Sequence, residues 1–209
     1  MNTNLVIDVG NTRTAVALYQ KHRQTILTHF ISKADDFLSQ LDHFCQNHSF
    51  TTICLSSVVP KVTELIIQHC QNNYLQPLIN VTAHTELGLR FWVKDPGFMG
   101  ADLIVNAFAA LQKYQQHCLI FDLGTATTVQ LVSSDGLFMG YSILPGLMTG
   151  AKSLFTDAAG LSVVPELASM HEEGVIKYEL LVMNSELRGT CQFSSLSYYV
   201  SIISKIMPT

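Results

Sequence analysis

The feature that most restricts this chain is an apolar strand ending in Asp-x-Gly, and it occurs twice. Leu5-Val6-Ile7-Asp8-Val9-Gly10-Asn11-Thr12 is the first copy. Leu119-Ile120-Phe121-Asp122-Leu123-Gly124-Thr125-Ala126-Thr127-Thr128 repeats the design 114 residues later, counted from Asp8 to Asp122. A second strand-like run follows each copy, Thr14 to Tyr19 and Val129 to Val132. Two strand–turn–strand units at this separation predict two halves of similar topology, divided as 1–117 and 118–209.

The residue types in these turns suit phosphate and metal. Gly10 and Gly124 permit the turn and let backbone N–H groups approach an anion closely. Asn11, Thr12, Thr125 and Thr127 add side-chain donors. Asp8 and Asp122, at the strand ends, are placed to hold a hydrated Mg²⁺ between phosphates. One such turn alone is an ordinary β-turn; two in register, each after an apolar strand, point to a nucleotide.

Between the copies, strands and helices alternate. The stretch 34–47 has helical spacing, with Phe37, Leu38, Leu41 and Phe44 on one face. Residues 51–55 read as a strand leading into Ser56-Ser57-Val58-Val59-Pro60, and 61–72 as a helix with Pro60 in its first turn. Residues 78–81 form another short strand. Asp95-Pro96-Gly97 is turn chemistry, and Gly100-Ala101-Asp102 opens a helix to about residue 115. Ile104, Ala107, Phe108 and Leu111 give that helix its buried face. Asp102 lies in the first turn, where a carboxylate suits the helix dipole, and Asn106 follows one turn later on the same face. After the second copy, 140–147 reads as a strand ending in Pro145-Gly146, and 148–159 as a helix. The tail 192–207 carries Leu196, Tyr199, Ile203 and Ile206 at helical spacing. This alternation predicts an α/β fold with a mixed or largely parallel sheet covered by helices.

Composition narrows the function classes. Charged residues are 13% of the chain, against roughly 25% in ordinary globular domains. The formal net charge is -4 and there is no basic block, so the electrostatic footprint of a nucleic-acid binder is missing. Apolar runs fall well short of the ~20 residues of a membrane span, and the opening residues lack a basic signal-peptide start. A cytoplasmic protein with no membrane partner is expected. The five cysteines are scattered without a CxxC pair and read as reduced thiols, with Cys54 and Cys118 in the core. The eight histidines show no zinc-type cluster.

Taken together, Asp8-Val9-Gly10-Asn11-Thr12, Pro96-x-x-x-Gly100-Ala101-Asp102, Asp122-x-Gly124-Thr125-Ala126-Thr127-Thr128 and Ile143-x-Pro145-Gly146-Leu147 resemble the type III pantothenate kinases in order and spacing. That family includes relatives named Bvg accessory factors. The resemblance runs from Leu5 to about Ile203. It implies the duplicated actin-like fold of acetate and sugar kinases (ribonuclease H-like), with two lobes of mixed sheets covered by helices. It also implies a homodimer with active sites at or near the subunit interface. The implied reaction moves the ATP γ-phosphoryl to the primary hydroxyl of pantothenate, giving 4'-phosphopantothenate, the first step of coenzyme A biosynthesis. Mg²⁺ and a monovalent cation (K⁺ or NH₄⁺) are the implied cofactors, with ATP as co-substrate.

Carried over by position, the resemblance makes Asp102 the general base. Asp8, Gly10, Asn11 and Thr12 become the first phosphate element, and Asp122, Gly124, Thr125 and Thr127 the second. Asp8 and Asp122 hold the metal. Gly100, Ala101, Asn11 and Thr190 contact the substrate. Some positions depart from the family pattern. Leu103 stands where an arginine usually holds the pantothenate carboxylate, and Val93, beside Trp92, stands for a tyrosine. Gln130 replaces an acidic residue, and Ala158-Ala159 a Thr-Ala pair. Arg188-Gly189-Thr190 aligns with an Asn-Thr motif, which puts Ser197 and Ser201 where glycines are usual. Relative to the family, the C-terminus is expected to be short by a strand, a Gly-rich turn and a closing helix. Two function classes follow, a kinase and a non-catalytic relative that binds or regulates. Retention of Asp8, Asp102 and Asp122 favours the kinase.

Overall fold

The computed structural model describes residues 3–23, 25–33, 36–157 and 180–184. Its first sheet opens with an antiparallel meander, β1 (Thr3–Val9), β2 (Thr14–Gln20) and β3 (Thr25–Ser32). Helix α1 (Phe37–Gln46) then leads to β4 (Thr52–Ser57), parallel to β1. Helix α2 (Pro60–Asn73) leads to β5 (Leu78–Asn80), parallel to β4. The strand order is β3-β2-β1-β4-β5.

Strand pleating explains why β1 is apolar along almost its whole length. Alternate residues face opposite sides of a sheet, and both sides here are covered. Leu5, Ile7 and Val9, with Val16, Leu18, Ile53 and Leu55, pack on Phe37, Leu41 and Cys45 of α1 and on Ile66 and Cys70 of α2. Val6, Ala17, Tyr19 and Cys54 pack on the opposite side, against α3 (Ala101–Tyr114). A strand buried on both faces reads as a continuous hydrophobic run.

The second sheet repeats the opening. β7 (Cys118–Leu123), β8 (Ala126–Val132) and β9 (Leu137–Pro145) form another antiparallel meander. β10 (Leu180–Asn184) lies on the far side of β7, as β4 lies beside β1, and α4 (Leu147–Asp157) follows β9. Two details differ from the first sheet. β10 runs antiparallel to β7, and the two-residue strand β6 (Arg90–Phe91), drawn from before α3, pairs with β9. Both sheets place the strand that opens the meander between its hairpin partner and a later strand. The chain therefore has the duplicated actin-like α/β fold, with mixed sheets and helical cover.

Helix α3 joins the two sheets. Its residues 103–110 are buried all round, as expected of a helix with protein on every side. Its contacts reach Val6 and Tyr19 in one direction and Ile120, Val132 and Phe138 in the other within one core. Gly100, not Asp102, is its N-cap residue, so the carboxylate of Asp102 is not needed as the cap itself.

The helices and strands expected from periodicity between residues 5 and 157 occur, with ends shifted by a few positions. β3, β6 and β10 were not expected. Cys45, Cys54, Cys70 and Cys118 are free and buried. No helix among the described residues is long and apolar enough to cross a membrane. The expected helix over 192–207, Thr190, Ala158-Ala159, Ser197 and Ser201 lie outside the described residues.

Candidate functional site

Each meander ends its first strand in a carboxylate followed by a tight turn. In the first turn Gly10 N donates to Arg13 O at 2.9 Å, and in the second Gly124 N donates to Ala126 O at 3.0 Å. The two turns meet. Thr12 Oγ1 and Thr125 Oγ1 are hydrogen-bonded at 3.0 Å, across 113 residues of sequence. Asn11, Thr12 and Thr125 are exposed there and Thr127 is half-buried.

The second turn is braced from behind. Gly146 N donates to Thr125 O at 3.1 Å, and Thr149 Oγ1 donates to the same oxygen at 3.0 Å. A Cβ on Gly146 would overlap the carbonyl oxygen of Gly124 and stand 2.5 Å from that of Thr125. Gly146 of the Pro145-Gly146 pair noted in the sequence is therefore a packing requirement of the second turn.

Asp102 enters from α3. Leu103 N donates to its Oδ1 at 2.8 Å. A side chain on Gly100 would collide with that same oxygen and would stand 3.2 Å from Val58 Cγ1. Gly100 thus leaves room for the carboxylate. Ala101 lines a cavity of about 220 Å³ with Ser57, Thr63, Asn80, Thr82 and His84. A larger recess of about 500 Å³, between Phe30 and α1, contains none of the expected site residues.

The three carboxyls act on one another. Burial raises Asp8 to about 7, and the charges of Asp102 and Asp122 push it the same way. The Ser56 hydroxyl and the Arg13 guanidinium oppose that rise. Ser56 is paired opposite Asp8 in the β1–β4 register and is near enough to favour the anion, yet its Oγ forms no hydrogen bond of good geometry among the described residues. Burial also raises Asp102, with Leu103 N–H opposing and Asp122 adding to the rise. Burial raises Asp122, and the Asn106 amide opposes it, donating from Nδ2 to Oδ2 at 3.0 Å. Mutual repulsion among buried acids describes a place where a cation would be stabilised.

The donor atoms of Asp8 and Asp122 are of the chemical type that Mg²⁺ takes. Among the described residues no three His, Cys, Asp or Glu side chains close on a single point. Asp8 and Asp122 supply hard oxygens of the kind Mg²⁺ takes when water and substrate phosphates complete its shell.

At the positions that depart from the family pattern, Leu103 is 3% exposed and packs in the core beneath both sheets. It presents nothing to the opening. Trp92 is exposed, whereas Val93 packs against the core. Gln130 is buried and donates to Thr128 Oγ1 at 3.3 Å. Ser56, Thr149 and the bond from Asn106 to Asp122 are contributors that the sequence reading did not assign. Only the helical spacing of Asn106 from Asp102 signalled any of them.

The family model for type III pantothenate kinase matches residues 4–178. The chain belongs to the type III pantothenate kinase family. Among relatives of this pantothenate kinase homologue, the type III pantothenate kinase of Thermomicrobium roseum is 34% identical over 170 residues, covering 77% of this chain and 65% of that protein. That of Listeria monocytogenes is also 34% identical, over 169 residues, covering 75% of this chain and 64% of the relative. The chain spans about 65% of the length of the curated relatives it matches. These relatives carry kinase names and lend no support to a non-catalytic alternative. Among solved structures, an ethanolamine utilization protein from Carboxydothermus hydrogenoformans superposes with a TM-score of 0.47 at 10% identity, covering 82% of this chain and 62% of that one. A propionate kinase from Francisella tularensis does so with a TM-score of 0.39 at 14% identity, covering 81% of this chain and 67% of that one.

Proposed function

We propose that this chain phosphorylates pantothenate to 4'-phosphopantothenate with ATP, the first step of coenzyme A biosynthesis. One observation carries the reading: two phosphate-type turns, 113 residues apart at their threonines, meet through Thr12 and Thr125 beside three mutually repelling carboxyls. Family membership supplies the substrate.

Phosphoryl transfer depends mainly on positioning and charge neutralisation. In this reading the turns at Gly10–Thr12 and Gly124–Thr127 bind the ATP phosphates through backbone N–H and hydroxyl groups. Asp8 and Asp122 hold Mg²⁺, which when bound neutralises charge on the phosphates. The pantothenate hydroxyl lies at Asp102, with the rest of the acceptor reaching toward Gly100, Ala101 and the adjoining polar cavity. Asp102 takes the hydroxyl proton as the new O–P bond forms and the bond from the γ-phosphorus to the β,γ-bridging oxygen breaks. ADP leaves with that electron pair. A carboxyl held above its usual range by burial is a stronger base once ionised.

Four further parts of the reading are inherited from the family: a monovalent cation (K⁺ or NH₄⁺), a homodimer, a contact from Thr190 to substrate and a cytoplasmic location. The acidic balance of the chain agrees with a partner that is neither nucleic acid nor an anionic membrane.

Coupled detection of ADP and phosphopantothenate tests this. Asp102→Asn is expected to lower kcat by ~10²–10⁴-fold with little change in ATP affinity, the usual worth of a positioned proton acceptor. An unchanged kcat in Asp102→Asn would remove Asp102 from the role of base.

A further inference from the structure

We propose that His84 is a specificity-determining residue that holds the carboxylate of the acceptor in the polar cavity beside Ala101. The inference rests on the phosphotransferase reading above and assigns the far end of its substrate.

The cavity opens at the C-terminal ends of two parallel strands, the usual place for a ligand in an α/β sheet. Ser57 ends β4, Asn80 ends β5, and both line it. Another wall is Ala101, the first residue of α3 and the neighbour of Asp102. An acceptor whose hydroxyl sits at Asp102 therefore has this space next to it. The start of a helix also carries partial positive charge, which favours an anion there.

The lining agrees with an anion. Among the described residues that form it there is no Asp or Glu. The turn after β5 is fixed by three bonds. Thr85 N donates to Thr82 O at 3.0 Å, Thr82 N to Thr85 Oγ1 at 2.9 Å, and His84 N to Thr82 Oγ1 at 3.2 Å. Thr82 Oγ1 accepts in that turn, and no described residue takes its proton. The Asn80 amide and the His84 ring are likewise without a partner among the described residues. Three unengaged donors with no acid among them call for a ligand that brings acceptors.

Of these groups His84 alone can carry a positive charge, and a charge-assisted bond to a carboxylate is about twice as strong as a neutral one. Position 103, where the family pattern has an arginine for this carboxylate, supplies no charge here. Leu103 is buried in the core and takes no part in the cavity wall. The positive group comes instead from the turn after β5.

The test is calorimetric binding of pantothenate, of panthenol and of Mg²⁺-ADP to the full chain, as wild type and as His84→Ala. Panthenol has a hydroxymethyl group in place of the carboxylate. His84 is exposed and its ring braces nothing among the described residues, so the variant is expected to fold. Pantothenate affinity is expected to fall about tenfold or more, the usual worth of a hydrogen bond to a charged group. Panthenol and Mg²⁺-ADP binding are expected to stay unchanged. Equal losses for both acceptors, a loss confined to Mg²⁺-ADP, or no loss at all would overturn the proposal. A wild type that binds pantothenate through His84 yet forms no phosphopantothenate would bring down the phosphotransferase reading. An active wild type with a silent His84 would bring down this inference alone.

Discussion

Asp8 shows how much a single side chain is held against its own preference. Its carboxyl titrates near 3.8 when solvated and is raised to about 7 in the fold, chiefly by burial. Between those values the folded state keeps a proton that the unfolded chain has released. Stability of the metal-free protein therefore falls as pH rises from about 4 to about 7. Asp8→Asn removes this penalty. Calorimetry should show the variant more stable than wild type at pH 8, with the difference vanishing near pH 4. A lower melting temperature for Asp8→Asn at pH 8 would contradict this. If Asp8 holds Mg²⁺ as proposed, Mg²⁺-nucleotide affinity should rise as pH passes through about 7, because a cation binds the ionised carboxylate. Leu103 gives an opposite case. It is enclosed in the core, so Leu103→Arg places an unpaired charge there rather than in the polar cavity beside Ala101. A loss of about 3–5 kcal/mol in denaturant unfolding is expected, with no gain in turnover. Higher turnover from that variant would show that the position reaches the acceptor.

Among the elements, those that announce themselves locally were legible in the sequence. β1 and β7 are short apolar runs closed by Asp-x-Gly, and α1, α2 and α3 have clear helical spacing. β3 was not legible. Its more buried positions, Ile26 and Phe30, alternate with exposed Leu27 and Ile31, so both faces carry apolar residues and the period-2 signal blurs. β6 has two residues and exists only through its pairing with β9. The site was legible to the same degree. Asp8, Asp102 and Asp122 stand in readable motifs, whereas Ser56 beside Asp8 depends on the β1–β4 register, and Asn106 on Asp122 depends on how α3 packs. The turn after β9 carries the prediction at this scale. Gly146→Ala drives a methyl into the backbone of Gly124 and Thr125. Displacing the turn should cost about 1–3 kcal/mol of stability and weaken nucleotide binding in a titration with Mg²⁺-ADP. Unaltered stability and binding would show that the brace on the second turn is dispensable.

At the scale of the whole molecule, duplication places two Asp-x-Gly turns on separate sheets, and α3 holds those sheets in one core. If nucleotide phosphates span both turns, Mg²⁺-ADP should slow hydrogen exchange at Gly10–Thr12 and Gly124–Thr127 together. Protection of one turn alone would mean that the halves do not share the ligand. The measurement that tests the account most directly is formation of 4'-phosphopantothenate by the full chain with Mg²⁺-ATP, K⁺ and pantothenate. The account predicts product in step with ADP release, abolished or nearly so in Asp102→Asn. No phosphopantothenate from a folded wild type that binds Mg²⁺-ATP would contradict it.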